Sequence, residues 1–337
     1  MTRKNGKDGK NGRRVTIKDI AREAEASIAT VSFVMNGSGS VSSEMKARVL
    51  KVAADLGYRR NQLAKTMRTG RSDMIGLVVP DLCNPFFPEL AHAVGEAARR
   101  LGYAVMLVES NDGENEAEGL ERLAVHGVDG ICWIPSSKRD LLADLNIAVP
   151  AVVIDRPMPN HDMVTSNYRM GGQLLADFIV SGGYSNIALV TGPENFPGIT
   201  QRRQGLIAAL DGRVPIVWEC ENPFSIDIVE PVRDALARKD ADLIVCANDT
   251  IAIGVISALG KLGLRVPDDV GVVGFDDIPW SVLVHPPLTT VRQPLDLIGA
   301  EAVALLVARI ERPDAPLRRV EVDVELIQRR STPWREA

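Results

Sequence analysis

The chain has 337 residues, is 45% hydrophobic, and carries 39 Lys+Arg against 44 Asp+Glu, a formal net charge of −5. That length and apolar share allow two or three domains with substantial cores and exclude a chain too polar to fold. No apolar run reaches the ~20 residues of a membrane-spanning helix, and no apolar segment follows the N-terminal positive charges, so the cytoplasm is the expected location.

The net charge hides a polarity along the chain. Residues 1–72 hold 16 Lys+Arg against 6 Asp+Glu, which leaves −15 for the remainder. A basic head suits phosphates, whereas an acidic body is repelled by them. Residues 1–14, MTRKNGKDGKNGRR, are too polar to bury anything and read as a disordered basic arm.

Residues 15–36, VTIKDIAREAEASIATVSFVMN, read as two short helices around a tight turn at Glu25 and Ala26. Thr16 caps the first, with Asp19 placed to reach back. Ile17, Ile20, Ala21 and Ala24 form its apolar stripe. Ser27 fits as the second cap, Val31 and Val34 face inward, and Ile28, Ala29, Ser32 and Phe33 point elsewhere. A third helix follows Ser42, with Met45, Val49, Val52, Ala53 and Leu56 as its stripe and Gly57 as a left-handed stop. Residues 15–60 therefore predict a helix-turn-helix unit whose second helix enters a major groove; periodicity alone also permits a generic three-helix cap.

Residues 61–72 form a polar, basic linker. Residues 61–67 could make two helical turns, too short to persist without DNA or a partner chain. Leu63 and Met67 would share a face near Lys65, an apolar side chain beside a cation that suits a minor-groove wedge.

From Met74 the chain alternates apolar runs with helical segments: MIGLVVPD, AVMLVES, GICWIPS, PAVVIDR, NIALVTGP, PIVWEC, DLIVCAND and VGVVGFD. Such runs suit parallel strands covered on both faces. Eight exceed one comfortable sheet, and the break after Arg156 predicts two doubly wound lobes, with ligands expected at the strand-end loops. The polar tips there are Asp81 with Asn84, Asp155 with Arg156, Asn248 with Asp249, and Asp276 with Asp277. Carboxylates and amides converging from two lobes suit a hydroxyl-bearing ligand, although each could simply cap a helix. Arg202 or Arg203 gains nothing from the start of a helix, which favours a ligand contact for one of them. Phe86, Phe87 and Trp280 are read as loop aromatics suited to stacking, although partial core burial is the more frequent use of such residues.

Cys83, Cys132, Cys220 and Cys246 are too scattered for a metal site or redox pair, and the last three read as buried small hydrophobes. No motif for an activated nucleophile, metal or phosphate loop is present, so no catalytic residue, metal or cofactor is expected and an enzyme is the weak alternative.

With these residues in view, the chain from Val15 to about Thr332 resembles bacterial transcriptional regulators of the lactose-repressor/galactose-repressor (LacI/GalR) type. The likeness is carried in order by VTIKDIAREA, TVSFVMNG, VSSEMKARVLKVAADLGYRRN, RTGRSDMIGLVVPDLCNPFF, GLRVPDDVGVVGFDDIP and PPLTTVRQP. It implies an N-terminal all-α head, a hinge helix and an α/β body of two parallel-sheet lobes like periplasmic sugar-binding proteins. The first lobe would span about 73–163 and 291–322, the second about 164–290 and 323–337, with three crossovers. It implies a homodimer on a palindromic operator, a small-molecule effector and no membrane partner; the chain's end soon after the last strand favours a dimer over a tetramer.

Carried over by residue, the resemblance places Ile28, Ala29 and Phe33 at base-facing positions and Met67 at the wedge beside Ala64 and Lys65. Thr16, Ser27, Thr30, Ser32, Asn36 and Asn61 complete the expected DNA-contacting set. The expected effector set is Asn84, Phe86, Phe87, Asp155, Arg156, Arg202, Asn248, Asp249 and Asp276, with Phe224 and Trp280 as looser members. Several residues depart from the family pattern. Glu25 stands where the turn usually has Gly or Asn, so either the turn carries some strain or its backbone differs slightly. Phe33 replaces a frequent Arg or His, leaving no bidentate guanine reader and giving weight to thymine methyls and groove shape. Ser166 replaces a common Asp, and Arg156 adds a cation near Arg202, so an acidic or phosphorylated sugar is one expected effector class. The function expected is a ligand-responsive repressor of a carbohydrate-related operon, with a regulator controlled by a protein co-regulator as the alternative.

Overall fold

The computed structural model describes residues 15–333 except 37, 38, 59–65, 67, 68, 111, 112, 137 and 194–196, in two units divided after Gly70. The predicted arm and most of the predicted hinge lie outside the described residues.

In the head, α1 (Ile17–Glu23) begins at Thr16, whose N–H and hydroxyl both donate to the Asp19 carboxylate, at 2.9 and 2.7 Å. It stops by paired back-bonds, Ala26 N–H to the Ala21 carbonyl at 2.9 Å and Glu25 N–H to that of Arg22 at 3.4 Å. This Schellman geometry places a left-handed residue after the cap, normally glycine; Glu25 fills it at φ 50, so of the two expected outcomes the turn carries the strain. α2 (Ile28–Asn36) is capped by Ser27, whose Oγ accepts from Thr30 N–H at 3.0 Å. α3 (Ser43–Asp55), capped by Ser42, ends in the same geometry with Gly57 at φ 63. Ile20, Ala21, Ala24, Val31, Val34, Val49 and Ala53 form the buried core, and Met45, Val52 and Leu56 pack on its edge.

The body contains two parallel sheets. In the first lobe, β1 (Met74–Val79), β2 (Ala104–Glu109), β3 (Gly130–Trp133), β4 (Ala151–Ile154), β5 (Asp162–Ser166) and β11 (Arg319–Val322) lie in the order β11-β5-β4-β3-β1-β2. α4 (Phe86–Arg100), α5 (Gly113–Val125), α6 (Leu141–Asp144) and α11 (Leu295–Glu311) belong with it. In the second, β6 (Ile187–Thr191), β7 (Ile216–Glu221), β8 (Leu243–Cys246) and β9 (Gly271–Val273) lie in the order β7-β6-β8-β9. Its helices are α7 (Tyr168–Ser181), α8 (Pro197–Leu210), α9 (Glu230–Leu236) and α10 (Asp249–Lys261).

All eight predicted strands are present, and the structure adds four. β5 pairs with β4 and β11 as far as Ser166, so first-lobe pairing runs past the expected boundary at 163. β10 (Thr290–Arg292) and β12 (Glu325–Ile327) pair antiparallel, an exception to the parallel reading. The chain passes between the lobes after Ser166, at β10 and after β11, and the strand ends at these passages shape the cleft.

Candidate functional site

On the head, Ile28, Ala29 and Phe33 are exposed on α2. The other expected DNA contacts in this unit have internal partners: Thr16 with Asp19, and Ser27 with Thr30, their hydroxyls 2.8 Å apart. Ser32 is half-buried. The side chain of Asn36, and all of Asn61, Ala64, Lys65 and Met67, lie outside the described residues.

In the body, a cavity of about 240 Å³ opens where the carboxyl ends of both sheets meet. Nine residues of the expected effector set line it: Asn84, Phe86, Phe87, Asp155 and Arg156 from the first lobe, and Arg202, Phe224, Asn248 and Asp276 from the second. The aromatic pair is not in a loop as expected; Phe86 and Phe87 open α4, their rings edge to face at 5.3 Å. Asn84 and Asn248 also serve the backbone, Asn84 Oδ1 accepting from Phe86 N–H and Asn248 Oδ1 capping α10 through Ile251 N–H.

Arg202 and Arg203 lie in the second turn of α8, not at its start as expected, and Arg202 is placed by an unusually close helix crossing. A Cβ on Gly172 of α7 would stand 2.2 Å from the Arg202 carbonyl oxygen, and one on Gly205 of α8 would stand 2.3 Å from that of Arg169, so only glycine lets the backbones touch. The guanidinium carbon then lies 3.7 Å from the Phe275 ring centre and 4.7 Å from that of Tyr168. Arg202 pairs with Asp276 at 3.2 Å and donates to the Ala247 carbonyl at 2.8 Å. Its buried Nε–H has no partner among the described residues, so this fixed cation keeps one unused donor.

Gln293 and Tyr168, both outside the expected set, also line the wall. Gln293 donates from Nε2 to Asp276 at 2.7 Å and accepts from the Ser166 hydroxyl at 2.6 Å. Tyr168 donates its hydroxyl to Asp155, a hydrogen bond that crosses from the second lobe to the first. Both stand directly at chain crossovers, and RQP within PPLTTVRQP was the available signal for Gln293. Ser166 is therefore a buried member of this network, beneath the wall. Asp155 at φ 73 and Asp276 at φ 114 both hold left-handed backbone, strain that concentrates where a site is built. Burial pushes the Asp276 carboxyl up to about 6 against the pull of Arg202, and raises the Tyr168 hydroxyl, with Asp155 adding to the rise. Burial lowers Arg156, opposed by Asp155 and Glu116, and its Nη1 donates to the Pro135 carbonyl.

Two expected members stand apart. Asp249 is fully buried and lines no part of this cavity; it accepts from Ile278 N–H at 2.9 Å, the Ser281 hydroxyl at 2.6 Å and the Thr290 hydroxyl, tying α10 to β10. Trp280 sits in the 3₁₀ turn Pro279–Val282, outside the cavity wall and half-exposed. Of the three remaining polar candidates, Asp81 lines the cavity, whereas Arg203 is engaged by Glu219 and Asp277 by Arg292 and Arg329. Cys132 and Cys246 are buried as expected, Cys220 only partly. Among the described residues, no cluster of His, Cys, Asp and Glu could hold a metal, and no helix is long and apolar enough to cross a membrane.

Residues 16–61 match a sequence profile described as bacterial regulatory proteins, lacI family, and residues 176–332 match one described as a periplasmic binding protein-like domain. The chain is 34% identical over 325 residues to the ribose operon repressor of Halalkalibacterium halodurans, covering 94% of this chain and 97% of that one. It is 35% identical over 328 residues to the HTH-type transcriptional repressor PurR of Mannheimia succiniciproducens, covering 94% and 98%. Among solved structures, it is similar to the lac repressor dimer bound to operator and the anti-inducer ONPF, with a TM-score of 0.83, 26% identity and coverage of 95% and 99%. A LacI family regulator from Enterococcus faecium with bound ribose gives a TM-score of 0.70 at 28% identity, covering 77% and 98%.

Proposed function

From a chain that belongs to the lacI family of bacterial regulatory proteins, we propose a cytoplasmic repressor that binds a palindromic operator as a homodimer and changes its grip when a small neutral sugar enters the inter-lobe cleft. What carries this reading is the joining, in one chain, of a basic helix-turn-helix unit to a cleft whose polar wall draws on both lobes. Acceptors on Asp81, Asp155 and Asp276 and the amides of Asn248 and Gln293 suit hydroxyl groups, and the aromatic rings of Phe86, Phe87 and Phe224 suit a sugar's apolar face. A neutral sugar is favoured over an acidic or phosphorylated one because Arg202 is already paired with Asp276 and Arg156 lies among Asp155, Glu116 and the Pro135 carbonyl. The ribose named with two of the relatives makes D-ribose the first candidate.

Ligand binding alters the angle between lobes and thereby orders or melts the segment at 61–72, which couples the two sites through an order-disorder element. The test is a thermal-shift series of the full chain with D-ribose, other neutral monosaccharides, sugar acids, sugar phosphates and purine bases. A ligand at a hundred times its Kd stabilises the folded body by about 2.7 kcal/mol. Stabilisation by neutral sugars supports the reading, stabilisation confined to phosphorylated sugars or purines overturns the ligand class, and no stabilisation by any of them overturns the sugar-effector half.

A further inference from the structure

We propose that the outer face of α2 reads thymine, through contacts of the Ile28, Ala29 and Phe33 side chains with 5-methyl groups in the major groove. This rests on the operator-binding reading above and adds what the operator must contain. At ~100° per residue, Ile28, Ser32, Ala29 and Phe33 follow one another across an arc of about 140°. Val31 and Val34 are buried on the opposite side. Ile28 is 52% exposed and Phe33 47%, so the head's own core accounts for neither.

The chemistry of this face is restrictive. No Lys or Arg occurs from Glu23 through Met45. Guanine offers two acceptors to the major groove, read best by a bidentate Arg or Lys, and α2 supplies none; thymine alone offers a methyl group, which an apolar side chain can cover. Ser27 and Thr30 cap the helix. Attraction to phosphates, which carries no sequence information, comes from the cations elsewhere in residues 1–72.

Phe33 is also held in place. A Cβ on Gly39 would lie 3.0 Å from the Phe33 Cγ and 3.2 and 3.3 Å from its two Cδ atoms, and Gly39 has φ 82. The ring thus rests against backbone where only glycine fits, half its surface covered and the rest presented outward. A ring fixed before docking loses less conformational freedom on binding.

The test begins by selecting sites from a random duplex pool with the full-length protein, then replaces each thymine of the enriched duplex with deoxyuridine. That change removes the 5-methyl group and keeps the pairing. T·A pairs are expected in the half-site core, with binding about fourfold weaker for each contacted thymine, the factor that burying one methyl-sized group gives. Phe33→Ala, at an exposed position, should fold and lose the penalty at one thymine, and Ile28→Ala should lose it at another. An enriched site with a G·C core, or deoxyuridine tolerated throughout, overturns this inference and leaves the operator reading standing. A full penalty in both variants overturns the residue assignment, and no enriched site at all overturns the operator reading together with this inference.

Discussion

Replacing Asp249 with asparagine should flatten the dependence of the body's stability on pH. The Asp249 carboxyl is fully buried, and burial pushes it up to about 8 from an ordinary 3.8, the Asp276 carboxylate adding to the rise. Between those values the folded chain holds a proton that the unfolded chain has released, so stability is greatest near pH 4 and falls as pH rises towards 8. The loss approaches about 1.4 kcal/mol per pH unit, or some 2–3 kcal/mol between pH 5 and 7. Asp276, pushed up to about 6, contributes in the same direction below that pH. Asparagine fits because the oxygen that accepts from Ile278 and Ser281 can remain oxygen, while the Thr290 hydroxyl can turn from donor to acceptor opposite the new amide. Urea unfolding followed by tryptophan fluorescence is the assay, since Trp133, Trp218, Trp280 and Trp334 all fall in the 71–337 unit. The wild type should lose stability from pH 5 to 8, and Asp249→Asn should show a shallower fall, that due to Asp276 and Glu116, whose carboxyls burial also raises. Parallel profiles for the two proteins, or wild-type stability rising with pH, would mean that Asp249 holds no proton in the folded chain.

Other consequences concern the groups that shape the two units. Gly172→Ala should cost about 1–3 kcal/mol or more in urea unfolding and weaken sugar binding, because the new methyl meets the Arg202 carbonyl at 2.2 Å and must push α8 away. Arg202→Ala should abolish the sugar-induced thermal shift and cost about 3–5 kcal/mol at pH 7.5, since it strands a buried carboxylate. That cost should shrink at pH 5, where Asp276 takes up a proton; an equal cost at both pH values would contradict the pairing. Glu25→Gly should stabilise the head by up to about 1 kcal/mol, the relief of left-handed strain exceeding glycine's entropy, and amide hydrogen exchange in α1 and α3 should slow.

Legibility differed by element for physical reasons. The head was readable because its signals are local: Ser27 and Ser42 cap, Gly57 stops, and even the strain at Glu25 follows from a side chain placed where φ must be positive. The eight apolar strands were readable because burial on both faces leaves continuous hydrophobic runs. β5 was not, because DMVTS alternates buried and half-buried residues and takes one of its partners, β11, from 156 residues downstream. The cleft followed the same division. Asp155 and Asp276 carry their signal at the ends of strands and Arg202 carried one as an arginine early in a helical run, although it lies in the second turn of α8, whereas Tyr168 and Gln293 matter only because the crossovers bring them together. Asn248 and Asp249 share one signal, and only the three-dimensional packing turns the first towards the cavity and the second into the core.

The most direct measurement is of linkage between the two sites in the full chain, using D-ribose, or the strongest stabilising sugar of the thermal-shift series, and the enriched operator duplex. Sugar affinity is measured with and without saturating duplex, and duplex affinity with and without saturating sugar. Both should change by the same factor, of the order of 5- to 150-fold, with random-sequence duplex changing neither. Sugar and operator binding that leave each other's affinities unchanged would contradict the claim that this chain is a ligand-responsive repressor.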